Sequence, residues 1–259
     1  MLLLVCAIVH VCIRRIVSVR WIPGIQVATE ILPPSKSTSN QPLLRSYSQV
    51  HEDIDAYNHF FYGTVNGTYL EMGARDGILH SNTLAFHESL GWRGILIEAS
   101  TSFHGLLHHR PKDICIWCAV CDSVRKVHWI GQKGGTSGIY EFMTPQFRKV
   151  FHPSVNTSDL REVKCYPLSV ILSELCVSSI DFFSLDVEGA ELSVMRTIDW
   201  TRVTFKVIVI ETVRSNRDPR AVNEIFQILL SAGYHPYNMS GSVNSWFVHH
   251  SFHPSSLVG

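Results

Sequence analysis

From residue 68 onward, short apolar runs alternate with longer mixed stretches. "TYLEMGA" (68–74), "GILIEA" (94–99), "ICIWCAV" (114–120), "IDFFSLDV" (180–187) and "FKVIVIET" (205–212) are rich in β-branched and aromatic residues. Runs of that length and continuity are the mark of strands buried on both faces. Helix-length segments separate several of them, notably "SNTLAFHESLG", "GAELSVMRTID" and "DPRAVNEIFQILLSAG". The last carries its own punctuation: Asp218 as N-cap, Pro219 at the first helical position and Gly233 at the stop. Val222, Ile225, Ile228 and Leu229 form its core-facing stripe. Strand, helix, strand, helix predicts an α/β fold, a doubly wound and mostly parallel sheet covered on both faces. "YHPYNM" and "NSWFVHH" read as two more strands about a turn, giving the sheet an antiparallel edge.

The chain ahead of residue 51 has a different pattern. Residues 1–28 open with an apolar run of 13 residues, broken only by His10, and then meet Arg14 and Arg15. That run is shorter than the ~20 residues that span a bilayer and lacks a basic region before it. A signal peptide, a membrane anchor extended to residue 28 and a poorly ordered end all fit. Residues 29–50 are rich in Pro, Ser and polar residues without periodicity, the composition of a linker. The folded domain is therefore expected over residues 51–259. The whole chain is 46% hydrophobic, ample material for one core. Lys+Arg and Asp+Glu balance at 22 each, so no basic field favours nucleic acid and any charged ligand must be bound locally.

A doubly wound sheet binds its ligand beyond the C-terminal ends of its strands, where strand order reverses. The residues found there are Glu71 to Gly77, Glu98, Asp122, Asp186 to Glu191, and Glu211. Each strand end carries a carboxylate. In "YLEMGARDG", Gly73 and Gly77 allow a tight turn and a close approach to the backbone, while the following helix offers free N–H groups. A phosphate-binding loop would keep fixed negative charge away, yet Glu71 and Asp76 flank this one. Glu98, at the end of the second strand, is placed to accept both hydroxyls of a ribose. A cationic ligand with a ribose and no phosphate satisfies both features, and S-adenosyl-L-methionine is such a ligand. Carboxylates that merely cap helices would explain Asp76 or Glu188, but not Glu71 or Glu98, which precede any cap.

"YLEMGARDGILHSNTLAFHESLGWRGILIEAS", "GGTSGI", "CYPLSVIL" and "IDFFSLDVEGAELSVM" resemble, in order and spacing, the FkbM-type methyltransferases. The resemblance covers roughly residues 60 to 250. It implies a class I, Rossmann-like sheet of seven strands in the order 3-2-1-4-5-7-6, S-adenosyl-L-methionine as cofactor, and O-methylation of sugars or polyketide-type hydroxyls. By this resemblance Glu71, Gly73, Ala74, Asp76 and Gly77, with Ser81 and Asn82 behind them, hold the methionine part. Glu98 takes the ribose, Ala99 lies beside the adenine, and Asp122 near its amino group. Two positions depart from the family pattern, Arg75 for Asn and Ala99 for Pro. A cation at position 75 suits a sulfonium only if it points outward or pairs with Asp76.

Methyl transfer to a hydroxyl needs a group that positions the acceptor and takes its proton. Asp186, at the end of the fourth core strand, is the first candidate and Glu188 the second. Glu191, three residues on, reads as a cap. No metal is assigned to them, since no His lies nearby in sequence. The cysteines read mostly as buried thiols: Cys115, Cys118 and Cys121 would alternate faces of one strand, which opposes a zinc site. The same argument applies to the His108–His109 and His249–His250 pairs. "QKGGTSGIY" (132–140) reads as a lid or a long hairpin connection. Residues 141–163 are the place for acceptor specificity, with aromatics able to stack on a sugar. Asn66, Asn156 and Asn238 each begin an N-glycosylation triplet. With the apolar N-terminus, they favour a lumenal or anchored protein over a cytoplasmic one. The partner expected is a small-molecule or glycan acceptor. A domain without turnover that serves trafficking or binding at a membrane is the alternative, and a dehydrogenase-type domain the third reading.

Overall fold

A computed structural model of the chain describes residues 27–28, 45–131, 137–212 and 218–255. In chain order, β1 (Val27–Ala28) and α1 (Glu52–Phe60) precede β2 (Thr68–Met72), α2 (Leu84–Leu90), β3 (Arg93–Glu98), α3 (Phe103–His109) and β4 (Ile114–Trp117). A second group follows: β5 (Ala119–Val120), β6 (Arg125–Ile130), β7 (Gly138–Ile139), α4 (Pro145–Phe151) and β8 (Arg161–Tyr166). The chain then returns through α5 (Leu168–Glu174), β9 (Ser179–Leu185), α6 (Glu191–Arg196), β10 (Thr204–Ile210), α7 (Pro219–Ser231), β11 (Tyr234–Tyr237) and β12 (Ser245–His249).

The main sheet runs β1-β4-β3-β2-β9-β10-β12-β11. The four pairings from β4 to β10 are parallel, while β12 and β11 close that end antiparallel. Apart from the two-residue β1, this is the 3-2-1-4-5-7-6 order that the family resemblance implies. β1 adds an eighth strand antiparallel to β4, with Val27 opposite Ile116. Ser46, Tyr47 and Ser48 bind the Asp53 carboxylate, so the end of the expected linker packs onto α1.

Alternation along each strand sorts the core into two layers. Leu70, Met72 and Phe183 face α5, α6 and α7 through Ile171, Met195 and Leu229. Tyr69, Leu96 and Phe182 face α1, α2 and α3 through Phe60, Phe86 and Leu106. The cap expected at α7 is present: the Asp218 side chain accepts the Arg220 N–H, Pro219 follows, and Gly233 adopts φ +88°.

"ICIWCAV" departs from the expectation of one strand. It breaks at Cys118, and Ala119–Val120 leave the main sheet for a second one of order β5-β8-β6-β7. The three cysteines consequently part company. Cys115 and Cys118 enter opposite core layers, while Cys121 forms a disulfide with Cys165 of β8. Nothing in the cysteine spacing signals that bond, because its partner lies 44 residues away. β6 and β7 pair antiparallel, as a hairpin would, but residues 132–136 of the lid-or-hairpin expectation lie outside the described residues. So does the apolar segment 1–26. Among the described residues no helix is long and apolar enough to cross a membrane.

Candidate functional site

A cleft of about 480 Å³ opens at the C-terminal ends of β2, β3 and β9. Glu71, Gly73, Asp76, Asn82, Glu98, Ala99, Asp186 and Glu188 all line it. These residues are up to 117 positions apart in sequence, and the parallel strand order brings them together.

The loop after β2 is built around Glu71. Its carboxylate is buried and accepts the Ser81 hydroxyl (2.9 Å), the Asn82 N–H (2.8 Å) and the Thr83 hydroxyl. Burial pushes this carboxyl above its usual range, against the pull of Arg110 and those three donors. Glu71 thus shapes the wall of the cleft by fixing residues 81–83. Its neighbour Asn82 turns inward and donates from Nδ2 to the Ser184 hydroxyl (2.8 Å). Ser81 lies behind, buried, as expected.

Gly73 lines the cleft and has a further reason to be a glycine. It adopts φ +83°, and a Cβ placed there would sit 1.8 Å from the Asp186 carbonyl oxygen. What approaches Gly73 is the end of β9, so this glycine is a requirement of the fold first. Ala74 is buried in the core and donates its N–H to Ile97 (3.3 Å). Gly77 closes the turn on the Ala74 carbonyl (2.9 Å) and packs against Arg110. Neither residue lines the cleft. Asp76 accepts the Ile78 and Leu79 N–H groups (3.0 and 2.9 Å). Burial would raise its carboxyl, but those amides, with His109 and Arg75, hold it below the usual carboxylate range.

Beneath this loop lies a buried ionic network that the sequence did not suggest. Arg110, fully buried, bonds Asp113 (2.8 Å), the Tyr69 hydroxyl (2.6 Å), the Gly77 carbonyl and the Ser81 hydroxyl (both 3.2 Å). It reaches the loop from the end of α3, so no local motif could have placed it there.

Glu98 closes β3 with both oxygens engaged. One accepts the Arg75 N–H (2.7 Å) and the other the Ser100 N–H (2.6 Å). The Arg75 guanidinium turns out toward His80, 3.2 Å from Nδ1, and not toward Asp76. Residue 75 therefore serves the site with its main chain. Ala99 lines the cleft, its carbonyl held by Arg161 (2.8 Å) and Trp117 (3.1 Å). Asp122 is set elsewhere. β5 pairs with β8 and Cys121 is bonded to Cys165, so the chain runs out to the surface, where Asp122 pairs with Arg125 (3.1 Å). Cys118, Ala119 and Val120 line the cleft in its place.

The loop after β9 completes the site. Glu191 is buried and accepts the Val187 and Gly189 N–H groups (3.2 Å each), holding the turn on which Glu188 adopts φ +53°. Asp186, Glu188 and Glu211 bring one carboxylate oxygen each to within 4.8 Å of one another. Among the described residues, three cleft-lining side chains each bury an atom without a hydrogen-bond partner: Asp186 Oδ1, Asn82 Oδ1 and Ser137 Oγ. A buried polar atom left without a partner costs free energy, so a cleft lined by such residues is a place where a ligand can complete the bonding. Trp129 of β6 and Ser137, just before β7, also line it. The glycine-rich run 132–140 was read as a lid or a hairpin connection without singling out Ser137, and Trp129 carried no signal.

Comparison with known proteins bears on this geometry. The profile of the methyltransferase FkbM domain matches residues 71–236. No curated protein matches the chain. Similar solved structures include methyltransferase FkbM from Methylobacillus flagellatus KT, at 13% identity and TM-score 0.43, covering 75% of this chain and 48% of that one. Precorrin-6y C5,15-methyltransferase from Geobacter metallireducens GS-15 has 10% identity and TM-score 0.37 over 82% and 91% of the two chains. Ribosomal protein L11 methylase from Lactobacillus delbrueckii subsp. bulgaricus has 10% identity and TM-score 0.34 over 71% of each. This chain spans about half the length of the first of these.

Proposed function

The chain belongs to the FkbM family of S-adenosylmethionine-dependent methyltransferases, and from that premise we propose that its cleft binds S-adenosylmethionine and serves O-methylation of a sugar or another small hydroxyl-bearing acceptor. The unpartnered Asp186 Oδ1, Asn82 Oδ1 and Ser137 Oγ, on residues that line one cleft, carry this reading. The residues present fit the cofactor: a buried carboxylate for a ribose, an apolar stretch at Cys118–Val120 for a base, and an acidic end for a cation.

When bound, S-adenosylmethionine supplies an electrophilic methyl group on a sulfonium. Glu98 spends one acceptor direction of each oxygen on a backbone N–H, which leaves others for the two ribose hydroxyls. Asn82 and the Gly73–Gly77 loop serve the methionine end. Asp186 accepts the acceptor's hydroxyl proton at Oδ1 and orients its oxygen, with Glu188 beside it. The negative field of Asp186, Glu188 and Glu211 suits a cationic donor and disfavours the pyrophosphate of a dinucleotide. A second reading gives that trio a divalent cation that holds the acceptor oxygen, since the spacing suits oxygen ligands.

The test is transfer of isotopically labelled methyl from S-adenosylmethionine to a panel of monosaccharides, glycosides and phenols, alongside calorimetry with S-adenosylmethionine and NAD. Label in an ether, and binding of S-adenosylmethionine alone, are expected. Tighter binding of NAD would sink the proposal. Loss of transfer on adding EDTA, restored by Mg²⁺, would favour the cation reading over Asp186 as base.

A further inference from the structure

Two independent features of the chain concern its surroundings and lie outside the cleft chemistry. The first is the Cys121–Cys165 disulfide, which crosses from the end of β5 to β8. Forming it passes two electrons and two protons from the thiols to an oxidant such as a disulfide-donor protein. Such bonds persist in oxidising compartments and are rare where thiols are kept reduced.

The second is the placement of the asparagine triplets. Asn66-Gly67-Thr68, Asn156-Thr157-Ser158 and Asn238-Met239-Ser240 are all the Asn-x-Ser/Thr triplets in the chain, and each of the three asparagines is exposed. Asn66 lies before β2, on the edge of the sheet opposite the cleft; Asn156 lies in the turn after α4; Asn238 follows β11. None lines the cleft.

We propose that this methyltransferase folds in the oxidising lumen of the secretory pathway and carries N-linked oligosaccharides at Asn66, Asn156 and Asn238. In that modification the asparagine Nδ2 bonds to the anomeric carbon of a lipid-pyrophosphate-linked oligosaccharide. The carbon–oxygen bond to pyrophosphate breaks, the lipid pyrophosphate leaves, and the amide loses one proton.

The test uses the full chain with its own N-terminus, expressed in cultured eukaryotic cells. Digestion with an N-glycan-removing amidase should increase electrophoretic mobility in up to three steps, and Asn66→Gln, Asn156→Gln and Asn238→Gln should each remove one. Under denaturing, non-reducing conditions Cys121 and Cys165 should resist maleimide, and both should react after reduction. The amidase shift is read on the unsubstituted chain, so it does not depend on any variant folding. Mobility unmoved by the amidase, or full labelling of both cysteines before reduction, overturns the proposal.

Discussion

Asp186 and Gly73 form one joint, because the glycine exists to admit the Asp186 carbonyl. Gly73→Ala would force a Cβ into a space 1.8 Å from that oxygen at φ +83°. Strain and displacement together should cost on the order of 3 kcal/mol or more of stability by urea denaturation. The backbone, and not only the ligand's space, is what the substitution disturbs. Binding lost at unchanged stability would contradict this. Asp186→Asn is the cleaner probe of chemistry, since the amide keeps the shape. Affinity for S-adenosylmethionine should stay within a few-fold while turnover falls by about 10²–10⁴, the range for losing a general base. Equal losses in binding and rate would instead make Asp186 a holder of the cofactor's charge.

The strands of the main sheet were readable because they are buried on both faces and so appear as unbroken apolar runs, as in "IDFFSLD". The second sheet was not readable. "RKVHWI" exposes Arg125 and Lys126 and buries Val127 and Ile130, an irregular pattern that marks neither strand nor helix. The helix over "FHGLLHH" escaped for a similar reason: it is only about two turns long, with Gly105 in its middle. Yet the second sheet and the residue that leads into β7 supply Trp129 and Ser137 to the cleft, and the Cys121–Cys165 bond ties the base of that excursion together. Closing a loop of 44 residues constrains the unfolded chain by up to about 4 kcal/mol. A reductant should therefore lower the urea midpoint and weaken cofactor binding together. A midpoint unchanged by reduction would show that the second sheet holds itself.

Taken as a molecule, the protein places a charged network inside its core and an acidic cleft above it. Arg110 and Asp113 are both fully buried, and His87 stands 3.0 Å from Asp113 with its side chain only 12% exposed. Burial, helped by Arg110, lowers the His87 pKa below its ordinary value despite the pull of Asp113. The unfolded chain therefore binds a proton near pH 6.5 that the folded chain refuses, and stability falls as the pH drops below that value. Burial would raise the Asp113 carboxyl, but Arg110 and His87 hold it below its usual range, so its contribution is present above about pH 4 and lost below. The free energy of unfolding, read by urea denaturation, should decline from pH 7 to pH 5 by at most about 1.4 kcal/mol per pH unit per proton, and less steeply in His87→Gln. A profile with the same slope in both would place the titration elsewhere. The whole arrangement, network beneath loop and loop around cleft, has one purpose on this reading: to present Glu98 and its neighbours to S-adenosylmethionine. Calorimetric titration of that cofactor into the full chain and into Glu98→Ala, with folding checked by circular dichroism, tests it most directly. The unsubstituted chain should bind, and the variant should bind about 10–100-fold more weakly, the loss expected for hydrogen bonds to a charged group. Equal affinities in two folded proteins would contradict the assignment.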